Sequence, residues 1–164
     1  MNNISLDAIN QFAEGIKKDI NSGVIKLNAH LDWEDGTKNN VTVRGFTPIV
    51  TDEPDFLGGT NTAPNPIEYL LSGAAACFST TFEIFASQQD IKLEKVSTDI
   101  ETDLDLAIFF GIKDGERGIT NLTIKLNVVS SAPIEKIEEI ANSAFSASMV
   151  LNSLKAKLKL TVER

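Results

Sequence analysis

Hydrophobic positions recur along this chain with two periods, and the changes of period divide it into elements. Leu6, Ile9, Phe12, Ala13, Ile16 and Ile20 return every three or four residues, so the spacing predicts a helix from a cap at Ser5 to about Asn21. Asp7 in its first turn suits the positive end of the helix dipole, and Ser22-Gly23 stops it. The period then falls to two. Ile25, Leu27, Ala29, Leu31 and Trp33 alternate with Lys26, Asn28, His30 and Asp32, which predicts a strand with one face buried. Asp35-Gly36 supplies a turn, and Val41 to Phe46 returns as the second strand of a hairpin.

From Pro48 to Pro66 the pattern dissolves into turn residues. Prolines 54, 64 and 66 fix φ, and Gly58-Gly59 permits a backbone approach closed to other residues. A long loop of this kind in a compact domain is more often functional than idle. The glycine pair lacks the lysine and the preceding strand of a phosphate loop, so a nucleotide site is rejected. A second helix begins with Asn65 at the N-cap, Pro66 at the first helical position and Glu68 as the capping-box partner. It is expected to run to about Gln89, and between Glu68 and Glu83 it carries no charge. Such a helix has to be buried on all sides, and Gly73 to Ala76 would let another backbone come close. A single domain of this size offers few ways to enclose it, so a partner subunit is expected to supply the second cover.

The second half is rich in strands. Val96, Thr98, Ile100, Thr102 and Leu104 alternate with Ser97, Asp99, Glu101, Asp103 and Asp105. Leu122, Ile124, Leu126 and Val128 alternate with Thr123, Lys125 and Asn127. Pro133 opens a helix with Ile134, Ile137, Ile140, Ala141, Ala144 and Phe145 on one stripe, and Ala156, Leu158, Leu160 and Val162 close as a strand. Lys155, Lys157 and Lys159 on that strand are expected to face the acidic strand across a ladder.

The 164 residues allow one domain with a sizeable core. Fifteen basic against 23 acidic residues give a net charge of −8, which opposes nucleic acid and anionic membrane surfaces. The longest apolar uncharged stretch, Tyr69 to Phe82, is too short for a bilayer, and no secretory signal is evident. A single cysteine excludes an internal disulfide, and a free thiol without an exporting signal points to a cytoplasmic setting. A single histidine excludes a histidine-rich metal site, and His30 falls on the polar face of its strand, so a Ser-His-Asp triad is set aside. No cofactor or metal is implied.

Two segments carry a family resemblance: Asp52-Glu-Pro-Asp-Phe-Leu-Gly-Gly59, and Ala63-Pro-Asn-Pro-Ile-Glu-Tyr-Leu-Leu-Ser-Gly-Ala-Ala-Ala-Cys77. Together they resemble the signature of OsmC-like proteins, relatives of the osmotically inducible protein C and the organic hydroperoxide resistance proteins. The Leu104–Gly111 segment and the closing helix and strand are similar to that family as well. The resemblance runs from about Val24 onward, so residues 1–23 read as an N-terminal helical extension and 24–164 as a single OsmC-like domain. It implies an α+β fold in an interlocked homodimer, with central buried helices between two mainly antiparallel sheets. It also implies a thiol peroxidase that reduces organic hydroperoxides, in which a helix cysteine becomes a sulfenic acid and a second cysteine closes a disulfide.

Cys77 matches the first, peroxidatic cysteine. Ser148 stands in the apparent place of the second, and a serine cannot resolve a sulfenic acid by forming a disulfide. The catalytic glutamate of active members lies one residue before Glu68, where this chain has Ile67. Their arginine has no counterpart, since Arg44 matches a merely structural hairpin position; Lys38, in the hairpin turn, is the nearest substitute. Two functional readings stand side by side. One is a hydroperoxide reductase in oxidative-stress defence, working with Cys77 alone and resolved by an external thiol. The other is a non-catalytic dimer binding a small molecule near Cys77, where Phe78, Phe82 and Phe85 would line a pocket or, more simply, belong to the core. Glu68 is itself a candidate catalytic residue, whose role would be to accept a hydrogen bond from an activating arginine; on the bland side, Cys77 is a small buried hydrophobe and Glu68 only the capping partner of Asn65.

Overall fold

The computed structural model describes residues 1–163, which form two compact units. One comprises residues 8–70, the other Met1–Asp7 with the chain from Leu71 onward.

Helix α1 spans Leu6–Lys18 and buries no residue. It ends three residues before the expected Asn21, because Asp19 turns its carboxylate onto the N–H of Asn21 and caps a 3-10 turn at Ile20–Gly23. In the unit of residues 8–70 the strands β1 (His30–Asp35), β2 (Lys38–Thr42) and β3 (Ile49–Thr51) form an antiparallel sheet in that order. The predicted strand from Ile25 starts only at His30. Thr42, opposite His30, is the last residue that β2 offers, since Arg44 then takes the left-handed φ of 54° and ends the return strand well short of Phe46. The alternation is present, but Leu31 and Trp33 are more than half exposed, so the expected buried face is uncovered in the single chain. Strand β3 is a correction of another kind: three residues are too few to register as an alternation.

The second unit holds the core. Helix α2 (Pro66–Gln88) delivers Ala74, Phe78, Phe82 and Ala86 to it at four-residue spacing, each with no exposed surface. Strands β4 (Leu93–Leu104), β5 (Ile119–Ser130) and β6 (Leu158–Glu163) form a sheet in that order, antiparallel and then parallel. The central β5 contributes Leu122, Ile124, Leu126 and Val128 to the interior. Between β5 and β6 the chain runs through helices α4 (Ile134–Ala147) and α5 (Met149–Ser153), a crossover that a parallel pair requires. Helix α4 adds Ile137, Ile140, Ala141 and Ala144, and the Phe145 ring meets Phe78 edge-on at 6.4 Å. Phe78 and Phe82 are thus core, and Phe85 packs partly buried against it, rather than lining a ligand pocket.

The uncharged helix leaves one side open in the single chain, where Ser72, Gly73, Ala76 and Thr80 lie exposed, so the full burial expected of it is not supplied within one chain. The stretch Tyr69 to Phe82, expected to be too short for a bilayer, belongs to a 23-residue helix that is long and apolar enough to cross a membrane by length and composition alone; its fully buried stripe is that of a core helix. The lysines of β6 do not face the acidic strand, since β5 lies between β4 and β6. The β4 acids instead meet amide and hydroxyl groups of β5, Asn121 on Asp103, Thr123 on Glu101 and Asn127 on Asp99, while Lys125 pairs with Glu163 of β6 at 2.8 Å.

The segment after β4 forms a helical turn, α3 (Leu106–Phe109). Asp105, expected as the last outward acid of the strand, caps it through the N–H groups of Ala107 and Ile108 and pairs with Lys113. Lys113 beside it, with those N–H donors, holds the Asp105 carboxyl below the usual carboxylate range despite partial burial.

Candidate functional site

Cys77 sits on α2, about three turns from the start of the helix, and is partly buried. Its carbonyl accepts the Thr81 hydroxyl at 2.8 Å, an internal helix contact that leaves the sulfur free to point elsewhere. The sulfur receives a hydrogen bond from Ser148 Oγ at 3.4 Å, a reasonable length for a sulfur acceptor. Ser148 itself has no exposed surface.

The fold presents this hydroxyl by breaking a helix. A single helix was expected after Pro133, but Ser148 leaves helical geometry at φ −64° and ψ 113° and separates α4 from α5. A break leaves carbonyls of the last turn without helical partners. Asn152 reaches back to supply them, its Nδ2 donating to the carbonyls of Ser146 and Ser148 at 2.9 and 2.8 Å, and its backbone N–H bonds Ser148 O as well. Asn152 was not legible in advance, because an asparagine late in a helical pattern has many uses.

Glu68 and Lys38 both belong to the unit of residues 8–70. Glu68 Oε2 accepts the Asn65 N–H at 2.7 Å while Asn65 Oδ1 accepts the Glu68 N–H at 2.9 Å, the reciprocal capping box. Lys38 opens β2 opposite Asp35. Arg44 lays its guanidinium 4.5 Å over the ring of Phe46 in the turn after β2, a structural contact. Solvent-facing His30 lies 3.3 Å from Asp32. The structure therefore brings together Cys77 and Ser148, while Glu68 is engaged with Asn65 and Lys38 stands opposite Asp35. Among the described residues no three of His, Cys, Asp or Glu gather as a metal site.

The signature loop before α2 has its own centre, and that centre is a buried anion. Asp52 is 1% exposed and accepts six hydrogen bonds. Oδ1 takes the Thr37 hydroxyl and the Glu53 N–H; Oδ2 takes both the N–H and the hydroxyl of Thr60 and of Thr62. Burial opposes the charge, but the Thr37 hydroxyl and the Thr60 and Thr62 donors outweigh it and hold the carboxyl far below the usual range. The glycine pair serves this wrap. Gly58 has φ 83°, and a β-carbon on Gly59 would fall 1.7 Å from the Glu53 carbonyl oxygen. The loop's donors thus point inward to its own carboxylate, which accords with rejecting a phosphate loop. Tyr69 fastens the start of α2 to β3 through its hydroxyl on Val50 O at 2.8 Å.

A partly exposed helix cysteine facing the break of a second helix, on an α+β frame of two small sheets, defines a recognisable class of thiol-bearing folds. The chain belongs to the OsmC-like protein family, whose sequence model matches residues 59–163. Solved structures agree on the fold. An OsmC-like protein of unknown function from Vibrio cholerae aligns with a TM-score of 0.74 at 14% identity, covering 85% of this chain and 99% of that one. An OsmC-like protein from Mycoplasma pneumoniae gives 0.74 at 20%, covering 84% and 96%. A protein from Legionella pneumophila, described as an organic hydroperoxide resistance protein, gives 0.66 at 24%, covering 87% and 99%. No protein of curated function matches the chain.

Proposed function

We propose that this protein reduces organic hydroperoxides with one cysteine, drawing electrons from an external thiol, as part of a cytoplasmic defence against oxidative stress. The observation that carries the reading is the Cys77 sulfur, partly exposed and hydrogen-bonded by the buried hydroxyl of Ser148, within a family that includes organic hydroperoxide resistance proteins. The Cys77 thiolate attacks the distal peroxide oxygen; the O–O bond breaks, an S–O bond forms and the alcohol leaves, so sulfur is oxidised by two electrons. A small thiol then displaces water to give a mixed disulfide, and a second thiol releases the oxidised disulfide and restores Cys77. The protein acts as a homodimer in this reading, supported by the uncharged exposed face of α2 and the uncovered face of the β1–β3 sheet, which lack cover in one chain.

The test is consumption of cumene hydroperoxide with excess dithiothreitol, comparing the protein with Cys77→Ser. Turnover well above the free-thiol background, lost in the variant, supports the enzyme. Background rates in both proteins would sink it.

A second reading has its own observation. Ile67 occupies the place of the family's catalytic glutamate, and Glu68 beside it is engaged in the capping box with Asn65. In that reading the dimer binds a small molecule near Cys77 without turning it over.

A further inference from the structure

A serine at the second-cysteine position removes the internal disulfide, which leaves open what becomes of Cys77 once oxidised. We propose that Ser148 is a positioning residue that protects the oxidised sulfur, donating its buried hydroxyl to Cys77 so that the sulfenic acid persists until a thiol arrives. This rests on the reading of Cys77 as the residue that peroxide oxidises.

The geometry supports a fixed donor. Ser148 Oγ lies 3.4 Å from the sulfur and has no exposed surface, so water offers it no alternative partner. Its backbone is locked in the break between α4 and α5 by three bonds from Asn152 to the carbonyls of Ser146 and Ser148. A hydroxyl both donates and accepts, so it can remain bonded as the sulfur acquires oxygen.

The chemistry explains why a donor there matters. Over-oxidation requires the sulfenate sulfur to attack a second peroxide: another S–O bond forms, another O–O bond breaks, and a sulfinic acid results that thiols do not reduce. A hydrogen bond to that sulfur draws on the lone pair needed for the attack. It also occupies one side of the sulfur, so that peroxide and thiol must share the other. A second cysteine would have removed the sulfenic acid by forming a disulfide; Ser148 preserves it for an outside thiol.

The experiment uses the full chain with Ser148→Ala, Ser148→Thr and Cys77→Ser, without added thiol. Hydrogen peroxide in large excess generates the sulfenic acid even in a protein that does not turn over organic hydroperoxides, so a failed enzyme assay does not prevent the measurement. Intact mass and dimedone trapping follow the rates of the first and second oxidations separately. Ser148→Ala is expected to form the sulfinic acid several-fold faster once the sulfenic acid is present, and Ser148→Thr to restore the slow rate; Cys77→Ser gains neither mass. Circular dichroism checks that the variants are folded. Equal second-step rates in the protein and folded Ser148→Ala would overturn the proposal, as would a Ser148→Thr variant that over-oxidises like alanine.

Discussion

Asn2 donates through Nδ2 to the hydroxyl of Ser87 at 2.9 Å, tying the second residue of the chain to the last turn of α2. The same amide donates to Ile91 O and accepts the N–H of Leu93, so one side chain serves three partners at the helix-to-strand corner. Asn2 also has φ 53°, a left-handed conformation that asparagine tolerates better than most residues.

Asn2→Ala removes all three bonds and strains the backbone at once. A loss of about 1–3 kcal/mol is expected. Denaturant unfolding would register it as a lower midpoint with an unchanged slope; an unchanged midpoint would mean that the tether contributes nothing in solution.

Ser148→Cys places a second sulfur where the hydroxyl now stands. The Oγ–Sγ distance of 3.4 Å leaves about 1.4 Å to close to a disulfide bond length of about 2 Å. Hydroperoxide is expected to consume both thiols of this variant and lower its mass by the two hydrogens lost, with no added reductant. Retention of two free thiols, or dimers linked between chains, would contradict the placement.

The Asp52 centre predicts an acid-sensitive stability. Its folded carboxyl titrates below the ordinary unfolded value of about 3.9, so its contribution is complete above that value and is lost as pH falls toward the folded one. Asp52→Asn is expected to melt several degrees lower at pH 7, with the gap narrowing below about pH 4 as the carboxyl of the unfolded chain takes up a proton that the folded one does not. Thermal melts across that range check the convergence; a gap constant down to pH 2 would contradict it.

Glu83 has the opposite sign. Burial pushes its carboxyl up, so the stability it contributes is present below the unfolded pKa and lost as pH rises through the folded one. Glu83→Gln is expected to raise the melting temperature at pH 7 by about 1–2 °C and to make no difference near pH 4. A decrease at pH 7 would show that the charge is used in the native state.

What the sequence revealed, and what it hid, follows how far each signal reaches along the chain. The capping box at Asn65 and Glu68 is a local arrangement and was legible down to its hydrogen bonds. The strands of the second half were legible because each covers alternate residues, fully in β5 and partly in β4 and β6. The order of the sheet was not, since nothing in the alternation of β4 and β6 states that β5 lies between them. Leu27 and Leu31 alternate faithfully, yet a strand also needs a neighbour, and β2 stops opposite His30. The site divides along the same line. Cys77 stood out as the single thiol, and Ser148 could be paired with it through the family pattern. Asn152, Asn2 and the threonines around Asp52 act over contacts that no short motif encodes.

The order of strands in the second unit has a kinetic consequence. β4 and β5 are joined through residues 105–118 and can find their register as a long hairpin, whereas β6 must wait for 131–157 to fold back through two helices. Loop closure of that kind is slow, and a parallel edge strand has neighbours on one side only. The β6 amides are accordingly expected to be the last in this sheet to become protected during folding, and under native conditions to exchange with solvent while β5 still holds its hydrogens.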